Sequence, residues 1–454
     1  MLEVPKRSYL GTAATAPGPS GPQMLPAMLR IRRNPLEYLY GVWRTYGDVA
    51  QFPIPRPPSY LINDPAAIRR VLVDRARDYT KDTLQYRSLA LVTGQGLLAS
   101  QNPREQRKIL QPAFHHQGLE PLVAHVDHSG RELAAQWQRL PSGAMVDVEH
   151  AMATVALQTV GHALFGQDLS EDAEKLVAAT LDGLDVVIAR ARTPISPPSW
   201  VPSPRNRQLA RANEELDRTV VNLLRARNSE PTGTTDALDL LMQARDESGQ
   251  GLSPRQIRDE IVTMIVAGHE TVASAMTWCF ALLAVNPEIQ QRLRSEADSV
   301  VSDGPIGMSE IARLPYARAV IDEAMRMYPP AWLITRKSLV DDELAQAAIP
   351  AGSLVIMSPY LVHRHPQYWP RPESFDPERF MLGQFDRSAF IPFGAGPRLC
   401  IGRDFAYAEA VALLARLIVH FTFAFPTGVR FPGFDPGVTM RPIGGLVLQL
   451  TPTS

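Results

Sequence analysis

Cysteine is scarce: 454 residues contain two, Cys279 and Cys400. Two thiols are too few for a disulfide framework, and no C-x-x-C occurs. A reducing cytoplasm fits this usage. Charge of one sign is also lacking. The net charge is −1, so no strong field draws the protein to nucleic acid or to an anionic membrane. No run of 18 or more apolar residues occurs, so no membrane anchor is expected. The start, MLEVPKRSYLGTAATAPGPSGP, has no long apolar stretch and does not read as a signal peptide. There is no internal repeat and no low-complexity tract. The composition is 45% hydrophobic and 20% charged, ordinary for a globular chain with length for a large core.

Proline is concentrated at the start, with ten in the first 58 residues. Residues 1–29 read as an extended leader. A short helix is expected over Pro35–Tyr46, with strands near Ala50–Ile62. From Pro65 to Ser299 the pattern is mainly helical, broken at 193–206 and 227–236. From Ala331 to Pro397 it is mixed, with SLVIMSPYLV (353–362) as a strand. A long helix after Cys400 and a short β-rich tail complete one α-rich unit with a smaller β region.

One helix stands apart, running from Ser253 to Asn286-Pro287. Ser253 caps it, Pro254 suits its first position and Gln256 completes a capping box. Its middle is apolar nearly all round, which predicts a path through the core. Yet that middle contains AGHET (267–271). Gly268 costs about 1 kcal/mol relative to alanine there, and Glu270 places a carboxylate where an unpaired charge is expensive. Local rules broken together indicate a functional site.

FGAGPRLCIG (393–402) is the second such place. Apolar residues at helical spacing follow Cys400, so the thiol sits at a helix N-terminus, where free amides and the dipole favour a thiolate. Gly394 and Gly396 permit a tight turn. Gly402 leaves room for a flat group, Phe393 can shield the sulfur, and Arg398 can pair with an anion. A thiolate in this setting suits an axial haem ligand. Cys279 reads as an ordinary buried cysteine. No histidine has the spacing of a partner for a nucleophilic cysteine. The pairs at 115–116, 125/128 and 363/365 lack further zinc ligands at recognised spacing.

These residues resemble those of the cytochrome P450 family, haem-thiolate monooxygenases, here of the soluble bacterial type. FGAGPRLCIG fits F-x-x-G-x-R-x-C-x-G at every fixed place. AGHET is similar to the family's oxygen-activation motif, EAMR (323–326) to its E-x-x-R, FDPERF (375–380) to its meander, and QPAF (111–114) to the end of the helix over one haem edge. The resemblance implies a leader over 1–29 and a single haem-binding monooxygenase domain over 30–454. Its long central helix lies over the haem and its cysteine loop beneath.

Several roles follow from the resemblance alone. Cys400 is the axial ligand of haem b. Arg107, Arg336 and Arg398 hold the propionates, with Phe393, Gly394, Gly402, Ala267 and Gly268 against the cofactor. Pro103 stands where the family usually carries Trp or His, so one propionate contact is missing or replaced. Thr271 and Glu270 form the acid–alcohol pair that relays protons. Glu323, Arg326 and Arg379 form a structural network. Leu97 or Leu98, Val266, Ala267, Ala331 and Val438 line an apolar pocket, while the region near 165–215 shapes its entrance.

The implied reaction inserts one oxygen atom of O₂ into an apolar small molecule of terpenoid, fatty acyl or polyketide type, in secondary metabolism. Electrons come from a ferredoxin and its NAD(P)H-dependent reductase, with Arg104, Arg107 and Lys108 as part of a basic docking face. A cytoplasmic monomer is expected. Two alternatives stay open. One is a haem-thiolate enzyme that uses peroxide, against which the intact Glu270-Thr271 pair argues. The other is a non-catalytic haem-binding sensor or carrier, which would need neither relay nor apolar pocket.

Overall fold

The computed structural model describes residues 15–453, except 55–56, 115–117, 170–172, 193–196, 199, 230–235, 246–248, 302–303 and 384. The fold is mainly helical. In chain order the principal helices are α1 (Gly21–Arg33), α2 (Pro35–Tyr46), α3 (Leu84–Thr93), α4 (Arg104–Leu110), α5 (Leu119–Gln138) and α6 (Val148–Phe165). They continue with α7 (Ala173–Ala191), α8 (Pro204–Ser229), α9 (Pro254–Ala284), α10 (Pro287–Val300), α11 (Pro315–Met327) and α12 (Arg403–His420).

The helix ends follow local chemistry. Asn34 accepts from the Glu37 amide at the start of α2, and Gly47, at φ +91°, ends it. The predicted box at α9 forms, with Ser253 and Gln256 satisfying each other's amides. Asp147 caps α6, and Gly166 closes it in the left-handed conformation.

The leader is a correction. Residues 1–14 lie outside the described residues, but Gly21–Arg33 is helical rather than extended. Pro22 falls in the first turn, where its missing N–H is tolerated. Ser20 and Gln23 supply a capping box, so Pro26 alone interrupts the ladder. SLVIMSPYLV is likewise only half strand: Leu354–Met357 is extended, and Pro359 starts a short helix over Pro359–Val362.

The main sheet combines β1 (Val49–Phe52), β2 (Ser59–Ile62), β3 (Tyr79–Thr80), β5 (Ile334–Ser338) and β6 (Leu354–Met357) in the order β1-β2-β6-β5-β3. Only β2 and β6 pair in parallel. A second sheet joins β4 (Met145–Asp147), β7 (Phe421–Ala424) and β10 (Val447–Pro452), with β10 central. The tail adds a hairpin of β8 (Phe434–Pro436) and β9 (Met440–Pro442).

α9 threads the main core, packed on α6, α11 and α12. Among the described residues no single helix is long and apolar enough to cross a membrane. α9 and α10 pass such a test only as a pair bent by 114°.

Candidate functional site

From Asp259 to Leu283, α9 is buried throughout except at Ala267, Gly268 and Thr271. These three share one face of the helix, at i, i+1 and i+4. The AGHET segment therefore opens the central helix along a single short stripe. The Thr271 hydroxyl donates to Ala267 O at 2.7 Å, as a helical threonine commonly does. Its lone pairs remain available as acceptors.

Gly268 has a packing reason as well. A Cβ there would come within 2.6 Å of Val160 Cγ2 on α6. Close packing of two core helices thus accounts for the glycine. Glu270 is held from the tail of the chain. Its carboxylate accepts from the Thr439 hydroxyl at 2.6 Å and lies 4.0 Å from Arg441 Nε. Arg441 is in turn held by Glu149 at 2.7 Å.

These groups border a cleft of 650 Å³ between α7 and the tail hairpin, which Val438 also lines. The cleft carries Glu37, Glu149, Asp185, Glu270 and Asp435 against Arg33 and Arg441, so it is acid-rich rather than apolar. Burial raises the carboxyl pKa values of Glu149 and Asp185, with Arg441 opposing the rise in each.

Leu97, Leu98, Val266 and Ala331 do not border this cleft. Leu97 and Leu98 are half-buried, Val266 is buried and Ala331 is exposed. The residues expected to line one pocket are thus not gathered around this one.

The cysteine turn is built as its glycines require. Gly394 and Gly396 have φ of +71° and +68°. A Cβ on Gly396 would also strike Leu72 O at 2.0 Å. The Cys400 amide donates to Phe393 O at 3.0 Å, and the Phe393 ring packs on Tyr407. At Gly402 an added Cβ would meet Phe114 at an ordinary 3.6 Å, so protein packing does not demand that glycine.

Cys400 is deeply enclosed by protein, yet its side chain is accessible. Burial pushes the thiol pKa up, while the Gly402 amide, Arg107 and Arg403 pull it down. The helix-end effect read from the sequence is present but outweighed. A bound cation would deprotonate such a thiol directly.

Around the turn stands a group of cations without counterions. Arg398 donates to Ser100 O and Gln101 O, Arg107 to Leu399 O, and Arg336 to Thr335 O and the Tyr86 hydroxyl. Lys81, which no motif flagged, is buried and donates to Leu98 O at 2.7 Å. Burial first, and then Arg336, Arg398 and Arg107, push its amine well below the ordinary lysine range. Burial and Arg336 lower the pKa of Arg398 as well. Among the described residues no carboxylate pairs with any of the four.

Such an arrangement is costly unless an anion completes it. Two propionates beside a metal ligated by Cys400 meet that requirement, so the residues present fit a haem. Lys81 also offers a donor that could compensate for Pro103.

Glu323, Arg326 and Arg379 come together as a fully enclosed network. Arg326 binds both oxygens of Glu323 at 2.6 and 2.9 Å, and Arg379 reaches Glu323 Oε1 at 3.1 Å. Their remaining donors go to the carbonyls of His363, Pro370, Arg371, Pro372 and Ser374. Cys279 is buried in α9, and burial raises its thiol pKa far above the ordinary value.

Sequence reasoning also missed Glu409 on α12. It is fully buried, and burial holds its carboxyl well above the usual range. Thr159 is beside it, but that hydroxyl donates to Val155 O, so the carboxyl accepts no well-formed bond. Burial therefore disfavours its charged form. Its helical spacing in the sequence is no different from that of an exposed glutamate.

The family model described as Cytochrome P450 matches residues 17–449. Cyclooctatin synthase of Streptomyces melanosporofaciens is 33% identical over 413 residues, covering 88% of each chain. Cyclooctat-9-en-7-ol 5-monooxygenase of the same organism is 30% identical, covering 91% of this chain and 89% of its own. Pentalenene oxygenase of Streptomyces avermitilis is 32% identical, with 89% and 90% covered.

Proposed function

This chain belongs to the cytochrome P450 family, and on that premise we propose that it hydroxylates an apolar terpenoid using electrons from a ferredoxin and its NAD(P)H-dependent reductase. The enzyme class itself is a haem-thiolate monooxygenase, which takes O₂, a hydrophobic substrate and electrons from redox partners. The terpenoid assignment is supported by relatives named for cyclooctatin, cyclooctat-9-en-7-ol and pentalenene. We read it as a monomer, and its two free cysteines fit a reducing cytoplasm.

One observation carries the placement of the cofactor: four basic side chains beside the Cys400 turn that have no carboxylate partner among the described residues. Cys400 would ligate the iron, and Arg107, Arg336, Arg398 and Lys81 would bind the propionates. When bound, haem supplies oxygen activation, and a thiolate ligand favours O–O cleavage. The chain supplies the rest.

Thr271, on the open stripe of α9, holds a hydroxyl that can accept and pass a proton. Glu270 connects that region to water through Thr439, Arg441 and the acid-rich cleft. Leu97 and Leu98 close the site from the loop over 94–100 and exclude water. Arg104 and Lys108, exposed on α4 beside Arg107, offer a basic face to an acidic ferredoxin.

The ligand assignment is tested with the reduced protein and carbon monoxide. The red-shifted band of thiolate ligation is expected in the wild type and in Cys279→Ala. Cys400→Ala should lose that band and most of its haem. A thiolate spectrum retained by Cys400→Ala would overturn the assignment.

A further inference from the structure

Residues 94–100 form turns between α3 and α4, and side chains from several parts of the fold hold their backbone. From α9, Asp259 Oδ2 accepts the Gln95 amide at 2.8 Å, and Glu260 Oε2 accepts the Leu97 amide at 3.0 Å. From α4, Gln106 Nε2 donates to Gln95 O at 2.8 Å. Lys81 and Arg398 hold Leu98 O and Ser100 O.

The loop lies directly on α9. A Cβ on Gly94, whose φ is +58°, would collide with the Asp259 carboxylate at 2.1 Å. One on Gly96 would strike Thr263 Oγ1 at 2.2 Å.

Glu260 is the unusual member of this set. Its Oε1 is buried and has no hydrogen-bond partner, and the same is true of Gln106 Oε1. The two side chains are neighbours. Gln106 acts on Glu260 as a hydrogen-bond donor does, favouring the ionised carboxylate. Glu260 thus faces three elements at once: its own helix, the loop and α4.

We propose that Glu260 is a positioning residue: by holding the Leu97 amide and meeting Gln106, it locks the loop between α9 and α4 and sets how closely Leu97 and Leu98 approach a bound ligand. This rests on the reading above that the loop covers the haem. Glu260 does not touch the reacting atoms in this scheme. It acts through the loop.

The charges around Glu260 are few. Asp259 is the charged neighbour that acts on it. Asp259 is itself flanked by Arg258, which also binds Asp217 on α8. The loop carries no titratable side chain. On α4, Gln106 is neutral, Arg104, Glu105 and Lys108 are exposed, and Arg107 is bonded to Leu399 O. On the adjoining helix Ala237–Gln243, Asp239 is paired with Arg227.

Burial first, and then Asp259, raise the Glu260 carboxyl to about 7, against the opposing pull of Leu97 N–H and Gln106. The proton is therefore present below that value and lost as pH rises through it. Loss leaves a buried charge beside Asp259, which opening the loop to water would relieve, so deprotonation loosens the lock.

The test is an optical titration of haem-loaded protein with two iron ligands that are uncharged in the neutral range. Pyridine reaches the iron without needing the loop, whereas 4-phenylpyridine must fit its phenyl ring beneath it. Glu260→Ala orphans the Leu97 amide and should weaken 4-phenylpyridine by about tenfold, with pyridine changed less than about twofold. Glu260→Gln keeps an uncharged acceptor for the Leu97 amide, so it should restore affinity. Wild-type affinity for 4-phenylpyridine should fall between about pH 6 and 8, and Glu260→Gln should be flat.

Unchanged 4-phenylpyridine binding in Glu260→Ala, equal weakening of both ligands, or a Glu260→Gln profile like the wild type would each overturn the proposal. If Glu260→Ala does not fold, the two pH profiles decide. Failure of pyridine to bind the wild type would instead overturn the haem placement, and with it this role.

Discussion

Two groups of buried charge are built on opposite terms in this protein. Glu323, Arg326 and Arg379 hold two cations around one carboxylate, and the surplus donors are met by backbone carbonyls. Lys81, Arg107, Arg336 and Arg398 hold four cations with no carboxylate between them. The first group is complete within the chain and ties α11 to the meander. The second has more positive charge than the chain itself compensates, and so it specifies an anionic partner. The difference separates residues that serve the fold from residues that serve the cofactor, although both sets look like scattered arginines in the sequence.

The largest effect should come from breaking the complete network. Glu323→Ala leaves two buried guanidinium groups unpaired and should destabilise the protein by about 3–5 kcal/mol, with or without haem. Denaturant unfolding of the apo and holo forms measures this. A loss confined to the holo form would erase the distinction between the two groups.

The cation cluster should behave in the reverse way. Lys81→Met replaces a buried amine, whose protonation burial and the three arginines oppose, by an apolar side chain, so the apoprotein should gain about 1 kcal/mol. Haem affinity should fall by about tenfold, because one charge-assisted bond to an anion is lost. Apoprotein unfolding and haem transfer to an acceptor globin read the two changes separately. Loss of apoprotein stability with unchanged haem affinity would return Lys81 to the fold.

The smallest perturbation touches neither group. Thr271→Ala should leave stability and haem retention near wild type, since Thr271 belongs to the open stripe of α9. NAD(P)H consumption should continue with less hydroxylated product and more hydrogen peroxide. Acid–base contributions of about 10²–10⁴ set the upper limit, and replacement water should reduce the loss to severalfold. Wild-type coupling of product to NAD(P)H would make Thr271 an ordinary helical threonine.

Legibility in the sequence followed the range of the interaction. The capping box of α9, the glycines at 394 and 396, and the ends of α2 depend on residues a few positions apart, and the chain displays them directly. Helical periodicity likewise exposed α9 and α12. The helix in the leader was hidden because its prolines read as breakers, although Pro22 falls in the first turn.

The amino-acid sequence by itself determined which residues could form the cysteine turn, the apolar central helix and the E-x-x-R pair. Only the tertiary structure decided that Lys81 joins Arg336 and Arg398, more than 250 positions away, that Gly268 makes room for Val160, that Glu270 turns to Thr439, and that Glu260 holds the Leu97 amide. The physical reason is that caps and tight turns are set by backbone geometry over a few bonds. The cost and role of a buried charge instead depend on which distant groups the packed core brings within a few ångströms.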